Sequence, residues 1–436
     1  MYLNCHSYYS LRYGTFSEVA LLQMAVHYGV RYLALTDINS TTACLNFLKE
    51  AQDYDLHPVL GVDFRNGVQQ QYIILAQNNE GFQRINEFLT AHLHAEKEFP
   101  NQAPELDSTY VIYPFQKILE RKQVSLKSHE FIGISLEDLR KLPFSKFRYN
   151  TSNLVIQQPV TFRNQSDYNA HRLLRTIDLN TLLSKLSVTE QGSKQHRMHP
   201  MEELRKAYED FPSLWQNTER ILKSCHVEFK FEEDNENQNQ ETYFDSPEAD
   251  FKFLKKECYR KLKGRFPRPN RELYARLEKE LDAIRTMNFV SYFLINYDII
   301  NYAISNNYPY IGRGSGANSL VAYILGITNV DPIELDLYFE RFINIYRSSP
   351  PDFDIDFAWS DREDITRYIF ERFPHTALMG TYVTFQYKAV VRELGKVFGL
   401  PKEEIDAFLI GRKIKNSNSD SDEYFKLILK YGKLIQ

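Results

Sequence analysis

Cysteine is scarce in this 436-residue chain: Cys5, Cys44, Cys225 and Cys258 are the only ones, and none stands at metal-ligand spacing from another. That scarcity excludes a disulfide-stapled secreted scaffold and a cysteine zinc module, and it points to a reducing, cytoplasmic setting. No apolar run approaches the roughly 18 residues needed to span a bilayer, so no membrane association is expected. Met1 leads straight into strand-forming residues without a signal-peptide pattern. No internal repeat is found. A dominant charge sign is lacking as well, since 53 Lys and Arg face 57 Asp and Glu for a net charge of −4. The balance argues against a nucleic-acid partner until position is considered. Lys252 to Arg276 holds ten Lys or Arg and two Glu, interleaved with Tyr259, Phe266 and Tyr274. Such a segment is either a phosphate-backbone surface or one solvated helix face.

The length predicts two or three domains, and 43% hydrophobic residues can fill their cores. In the first half, strand patterns at Tyr2–His6, Tyr32–Thr36, Val59–Phe64 and Tyr72–Ala76 alternate with helical ones at Ser17–Tyr28 and Thr42–Tyr54. That alternation predicts a parallel α/β arrangement. Glu232 to Thr242 is a polar run without an apolar residue and reads as a linker. Beyond it, Phe251–Leu262, Leu273–Thr286, Ser360–Phe373 (with Ser360 as cap) and Thr384–Phe398 are predicted helices. The last of these carries Lys388, Arg392 and Lys396 on one face. His196 and His199 sit in a polar stretch that reads as a loop.

The most informative segment is Asp352-Phe353-Asp354-Ile355-Asp356-Phe357. In a strand, alternate side chains share a face, so the three aspartates oppose the three apolar residues. Next-but-one residues start about 6.5 Å apart, which lets carboxylates converge on paired Mg²⁺ ions. A bare acidic strand edge is one alternative. A calcium loop is another, because Asp352, Asp354, Asp356 and Glu363 match positions 1, 3, 5 and 12 of the EF-hand. The glycine needed for that loop's turn is replaced by Phe357, and Pro350-Pro351 would break the entering helix.

About forty residues upstream lies Gly312-Arg313-Gly314-Ser315-Gly316-Ala317-Asn318-Ser319. Alternating glycines let backbone approach an anion at a helix start, with Arg313, Ser315 and Ser319 as side-chain donors. Gly312-x-Gly314-x-x-Ala317 also fits a dinucleotide fingerprint, with Glu334 near the ribose-binding distance. The neighbouring Arg341, Arg347 and acidic strand favour a nucleoside triphosphate with metal over NAD.

This block, continued by Leu320-Val321-Ala322-Tyr323, Leu325-Gly326-Ile327-Thr328, Asp331-Pro332 and Phe339-Glu340-Arg341-Phe342-Ile343-Asn344, resembles the palm of the bacterial DNA polymerase III alpha subunit, a C-family replicative polymerase. The resemblance implies that Asp352 and Asp354 are catalytic metal ligands for Mg²⁺. It implies that Gly312, Arg313, Gly314 and Ser315 bind the triphosphate, with Arg341 and Arg347 lining the same pocket. Asn318 departs from the glycine usual in the family, and a side chain there is expected to narrow the turn. The first half is similar to the polymerase-and-histidinol-phosphatase (PHP) domain that opens the alpha subunit, an irregular α/β barrel. Its multimetal ligand set is eroded here: Asn4, Ile38, Gln71, Pro159 and Thr161 stand at ligand positions, and His6, Asp37 and Asp63 remain. A structural role is therefore expected for it, without phosphoesterase chemistry or stoichiometric metal.

The resemblance implies a PHP-like domain at 1–231, a polar linker at 232–248, a mixed α/β palm at 249–383 and the start of a helical thumb at 384–436. The expected partners are primed DNA template and deoxynucleoside triphosphates. A sliding clamp and other replisome subunits would bind through regions further downstream in the family. The family's palm needs a third carboxylate on a later strand, and none appears after Asp356. The 436 residues alone are thus expected not to synthesise DNA. A non-catalytic nucleic-acid-binding or scaffold derivative is the alternative from another class.

Overall fold

Alternate residues of one central sheet point into two separate apolar clusters, and this organises the first half of the computed structural model. The structure describes residues 1–121, 125–231, 240–343, 352–373, 375–381, 384–411 and 419–435. They fall into two compact units, Met1–Asn235 with Val383–Gln436, and Glu236–Tyr382. The strands are β1 (Asn4–Cys5), β2 (Tyr32–Leu35), β3 (His57–Asn66), β4 (Gln69–Ala76), β5 (Thr109–Pro114), β6 (Glu130–Ile134), β7 (Leu154–Ile156), β8 (Pro159–Val160), β9 (Tyr310–Arg313) and β10 (Asp354–Phe357).

In the first unit, β2 to β7 form a six-stranded sheet in sequence order, and β1 pairs with β8. The β2–β3, β5–β6 and β6–β7 pairs are parallel, but β3–β4 and β4–β5 are antiparallel. The expected parallel arrangement thus holds for three pairs and is corrected at β4, which makes the sheet mixed. The short Gly67 turn after β3, with φ +60°, allows a direct hairpin where a parallel pair would need a long crossover. Along β4, Tyr72, Ile74 and Ala76 pack into one cluster while Ile73 and Leu75 pack into the other. Burial on both faces explains why these strands read as continuous apolar runs.

The helix Glu18–His27 starts where Ser17 Oγ accepts the Ala20 N–H at 3.1 Å, and Asn164 caps the helix Gln165–Asp178 in the same way. The helices Tyr387–Val397 and Ser419–Ile435 pack on that second helix, and Lys402–Leu409 packs on the first of them. They share a cluster with Ala170 and Leu173, and Asn169 Nδ2 donates to the Tyr431 hydroxyl at 2.9 Å. In the cation row of the first of these helices, Arg392 pairs with Asp406 at 3.7 Å and Lys396 with Glu393 at 2.7 Å. All four cysteines are buried and free. No described helix is long and apolar enough to cross a membrane.

The second unit is built from the helices Pro247–Arg265, Arg271–Thr286, Val290–Ser305 and Leu320–Leu325 around one cluster that includes Leu254, Leu277, Phe293, Leu320 and Phe342. Against that cluster lies the antiparallel β9–β10 pair. The helix after β10 begins at Arg362, and Ser360 does not cap it: its hydroxyl donates to the Asp361 carboxylate instead. Residues 232–239 of the polar linker lie outside the described residues, and the helix Pro247–Arg265 begins within its last two positions.

Candidate functional site

The β9–β10 pair gives the carboxylate strand its orientation. Asp354 lies opposite Arg313, and Asp356 opposite Ile311, so these four side chains share one face. All four are exposed, whereas Ile355 and Phe357 are half-buried and Gly312 is buried. The strand begins only at Asp354, so Asp352 of the expected acidic strand lies before it, and the Asp354–Phe357 stretch is extended and not a calcium loop. Just before β10, Phe353 anchors the segment. Its N–H donates to the Tyr292 hydroxyl at 2.8 Å, and its ring lies 4.9–5.3 Å from those of Phe342, Phe293 and Tyr292. Asp352 and Asp354 flank this anchor and are both exposed.

Each glycine of the turn is required by close approach. A Cβ on Gly312 would meet the Ile327 carbonyl oxygen at 2.1 Å, one on Gly314 the Asp354 carboxylate at 2.3 Å, and one on Gly316 the Phe353 ring at 2.5 Å. Gly314 also has φ +72°, in the left-handed region. The turn and the Asp354 carboxylate are therefore in direct contact. Arg313 is held by the third aspartate: its Nε donates to Asp356 at 2.6 Å, both side chains remaining more than half exposed.

Beneath the turn is a brace that the sequence reading missed. Glu280 is fully buried and accepts from Arg276 Nε at 3.1 Å, Ser319 Oγ at 3.0 Å and the Val321 N–H at 3.1 Å. Burial pushes its carboxyl upward, against the pull of these donors. Arg276 also donates to the carbonyls of Asn318 and Leu337. Ser319 thus serves as helix cap and Glu280 donor, not as the anion donor expected of it. Asn318 lies outside the left-handed region, and its Nδ2 donates to the Ser315 carbonyl at 2.8 Å, closing the turn from within. The signal for Glu280 was present. It sits on the stripe of Leu273, Leu277 and Ile284, a charge among core positions at helical spacing.

Arg341 is exposed at the end of the short turn Phe339–Arg341, and Arg347 lies outside the described residues. Much of the basic segment on the helices Pro247–Arg265 and Arg271–Thr286 is engaged internally. Lys255 pairs with Glu278, Arg260 with Glu257, and Lys261 and Arg265 lie over the rings of Tyr297 and Tyr323.

In the first unit, His6 and Asp63 come together with an arginine, while Asp37 is bound apart by two serines. The Asp63 carboxylate accepts from His6 Nε2 at 3.0 Å and from Arg65 Nε and Nη2 at 3.0 and 2.7 Å. His6 Nδ1 therefore accepts from the Thr161 hydroxyl, 2.9 Å away. Asp37 takes donors from Ser7 and Ser10. Burial alone would raise the Asp63 carboxyl, yet Arg65 and His6 hold it below its ordinary range. Arg65 lies 4.9 Å from the centre of the Tyr13 ring and is 7% exposed, so a full positive charge already fills this pocket. Among the described residues no three His, Cys, Asp or Glu are arranged to hold a metal. The residues present do not fit a multimetal cluster. Asp63 and Arg65, two apart on one strand, were the available sequence signal.

Beside this pocket, His171 is fully buried, its Nδ1–H donating to the Tyr13 carbonyl and its Nε2 accepting the Gly192 N–H, each at 2.8 Å. Burial pushes its pKa down to about 3, against about 6.5 in the unfolded chain. Below about pH 6.5 the unfolded chain takes up a proton that the folded one refuses, so this contribution is lost as pH falls toward about 3. Between pH 6.5 and 5 it amounts to roughly 2 kcal/mol. Glu18 and Glu280, raised by burial, act in the opposite sense. The expected result is therefore a difference: urea unfolding at pH 7 and pH 5 shows the wild type losing about 2 kcal/mol more than a His171→Gln variant. Equal losses in both proteins would contradict it.

Comparison with known proteins agrees with both halves. Residues 252–430 match the family described as bacterial DNA polymerase III alpha NTPase domain, and residues 3–129 match the PHP domain. DNA polymerase III subunit alpha of Buchnera aphidicola is 28% identical over 92% of this chain and 38% of its own length. That of Bacillus subtilis is 29% identical over 93% of this chain and 39% of its own. An error-prone DNA polymerase of Symbiobacterium thermophilum is 25% identical over 100% of this chain and 44% of its own. The chain thus spans about two-fifths of the length of these relatives. With the glycine turn, the carboxylate strand and both matched segments following one another, the chain is a homologue of the bacterial DNA polymerase III alpha subunits, carrying their PHP and NTPase domains.

Proposed function

We propose that the second unit carries the nucleotide- and metal-holding half of a DNA-directed DNA polymerase site. The observation that supports this most is the contact between the Asp354 carboxylate and the backbone of the Gly314 turn. Asp352 and Asp354 are exposed, hard oxygen donors of the kind Mg²⁺ takes, with the triphosphate supplying further oxygens. Bound there, the ions would stabilise charge on the attacking primer 3′-oxygen and the departing pyrophosphate. The chain's own part is positioning. The backbone of Gly312 to Ser315 cradles the phosphates, Arg313 exchanges Asp356 for phosphate oxygens, and Arg341 and Arg347 offset the remaining charge. Primed DNA, deoxynucleoside triphosphates, a sliding clamp and other replisome subunits are the partners under this reading.

No third acidic ligand joins Asp352 and Asp354 among the described residues. The 436 residues alone are therefore proposed to bind a deoxynucleoside triphosphate without extending a primer. The domain division of the sequence reading is retained as a proposal, with residues 384–436 as a thumb opening that packs on the first unit. Calorimetric titration tests the site directly. A deoxynucleoside triphosphate is expected to bind in a Mg²⁺-dependent way and NAD not at all. Arg313→Ala is expected to weaken binding roughly tenfold or more, the worth of a charge-assisted hydrogen bond. Mg²⁺-independent binding, or equal affinity for NAD, would overturn the assignment.

A further inference from the structure

The loop between β6 and β7 exposes two aromatic rings within a run of cations. Phe144 and Tyr149 are 91% and 89% exposed, among the most exposed large apolar side chains of the described residues. The loop is not a loose excursion. Leu142 is buried, Phe147 is half-buried with its ring 6.2 Å from that of Phe115, and the Ser145 hydroxyl donates to the Leu142 carbonyl while accepting the Phe147 N–H. Successive turns follow, with Arg148 N–H donating to Ser145 and Asn150 N–H to Phe147. Residues 142 and 147 thus pin the loop, and 144 and 149 are held outward.

Charge follows the same pattern. Arg140, Lys141, Lys146 and Arg148 are all exposed, and no acidic residue occurs from Leu139 to Ser166. Lys146 is steadied by the Arg121 carbonyl at 2.7 Å, and the Arg148 guanidinium lies 5.0 Å from the centre of the Tyr149 ring. The nearest carboxylates on the N-terminal side, Glu137 and Asp138, already accept from Ser193 and from Ser135 and Gln116.

We propose that the loop Arg140–Asn150 is a binding platform for single-stranded nucleic acid, with Phe144 and Tyr149 stacking unpaired bases and the four cations tracking the phosphates. Exposed rings interleaved with cations are what a sequence-tolerant single-strand site needs, because every base has a π face and every nucleotide a charge. A duplex hides its bases and would use only the cations. The site lies wholly in the first unit, and it stands whether or not the polymerase assignment of the second unit holds.

Fluorescence anisotropy of the whole chain with a labelled 20-residue oligothymidine tests the platform. Single-strand binding is expected to exceed binding of a duplex of equal length. Phe144→Ala and Tyr149→Ala are each expected to weaken it roughly tenfold. A Lys146→Glu, Arg148→Glu variant should flatten its salt dependence. Ultraviolet cross-linking of the unaltered chain to a bromodeoxyuridine oligonucleotide should label residues 140–150, a readout that needs no variant. No binding at low salt, equal affinity for duplex, unchanged affinity in the aromatic variants, or cross-links only elsewhere would each overturn the proposal. So would capture of a protein partner through these rings with no competition from the oligonucleotide.

Discussion

Asp354→Asn is expected to reduce nucleotide addition at least about a thousandfold in a polymerase that joins this unit to the segments its relatives carry beyond it. Under the proposed assignment the removed charge would be one ligand of a paired-metal site, and such a loss withdraws several kcal/mol of charge stabilisation. About 4 kcal/mol already corresponds to roughly a thousandfold in rate. Asp352→Asn should behave alike. Folding and primed-DNA binding should be nearly unaffected, because Asp354 is exposed and the strand is anchored by Phe353 and Ile355. Asp356→Asn should have a smaller effect, since that carboxylate is engaged by Arg313 while Asp354 faces the glycine turn. Single-nucleotide incorporation, with thermal unfolding as control, measures this. Near-normal extension by Asp354→Asn would remove the metal assignment.

Arg65→Leu is expected to destabilise the first unit by about 3–5 kcal/mol, the cost of leaving one member of a buried ion pair without its partner. The Asp63 carboxylate is fully buried, and its Oδ1 has no hydrogen-bond partner, so its charge depends on Arg65 and His6 through Oδ2. Replacing both partners by apolar residues should recover much of the loss, because a desolvated pair is dispensable where a lone charge is not. A chelator should leave the wild-type unfolding midpoint unchanged, since the guanidinium supplies the cation in the pocket. Denaturant unfolding of the single and double variants decides the matter. A midpoint lowered by chelator, or stoichiometric Zn²⁺ or Mn²⁺ that His6→Ala abolishes, would contradict it.

Local patterns determined a good deal. The two-residue alternation specified a strand with an acidic face for Asp354 to Phe357, though not for Asp352, because side-chain direction in a strand follows from backbone geometry alone. The glycines at 312, 314 and 316 marked a turn of close approach, and the amphipathic spacing around Leu273 to Ile284 marked a helix. The eroded ligand positions at Asn4, Ile38, Gln71, Pro159 and Thr161 were legible as residue types. What those positions hold instead was decided by tertiary structure. Asp63 meets His6 across 57 residues of chain, and Glu280 reaches Ser319 from another helix; no periodicity encodes such pairings. Strand direction was likewise beyond local pattern, since an apolar run buried on both faces reads the same whether its neighbour is parallel or antiparallel. The partner of Arg313 was fixed by register: a one-residue slip would turn Asp354 and Asp356 into the core, and only packing of Phe353 and Ile355 against the helices forbids it.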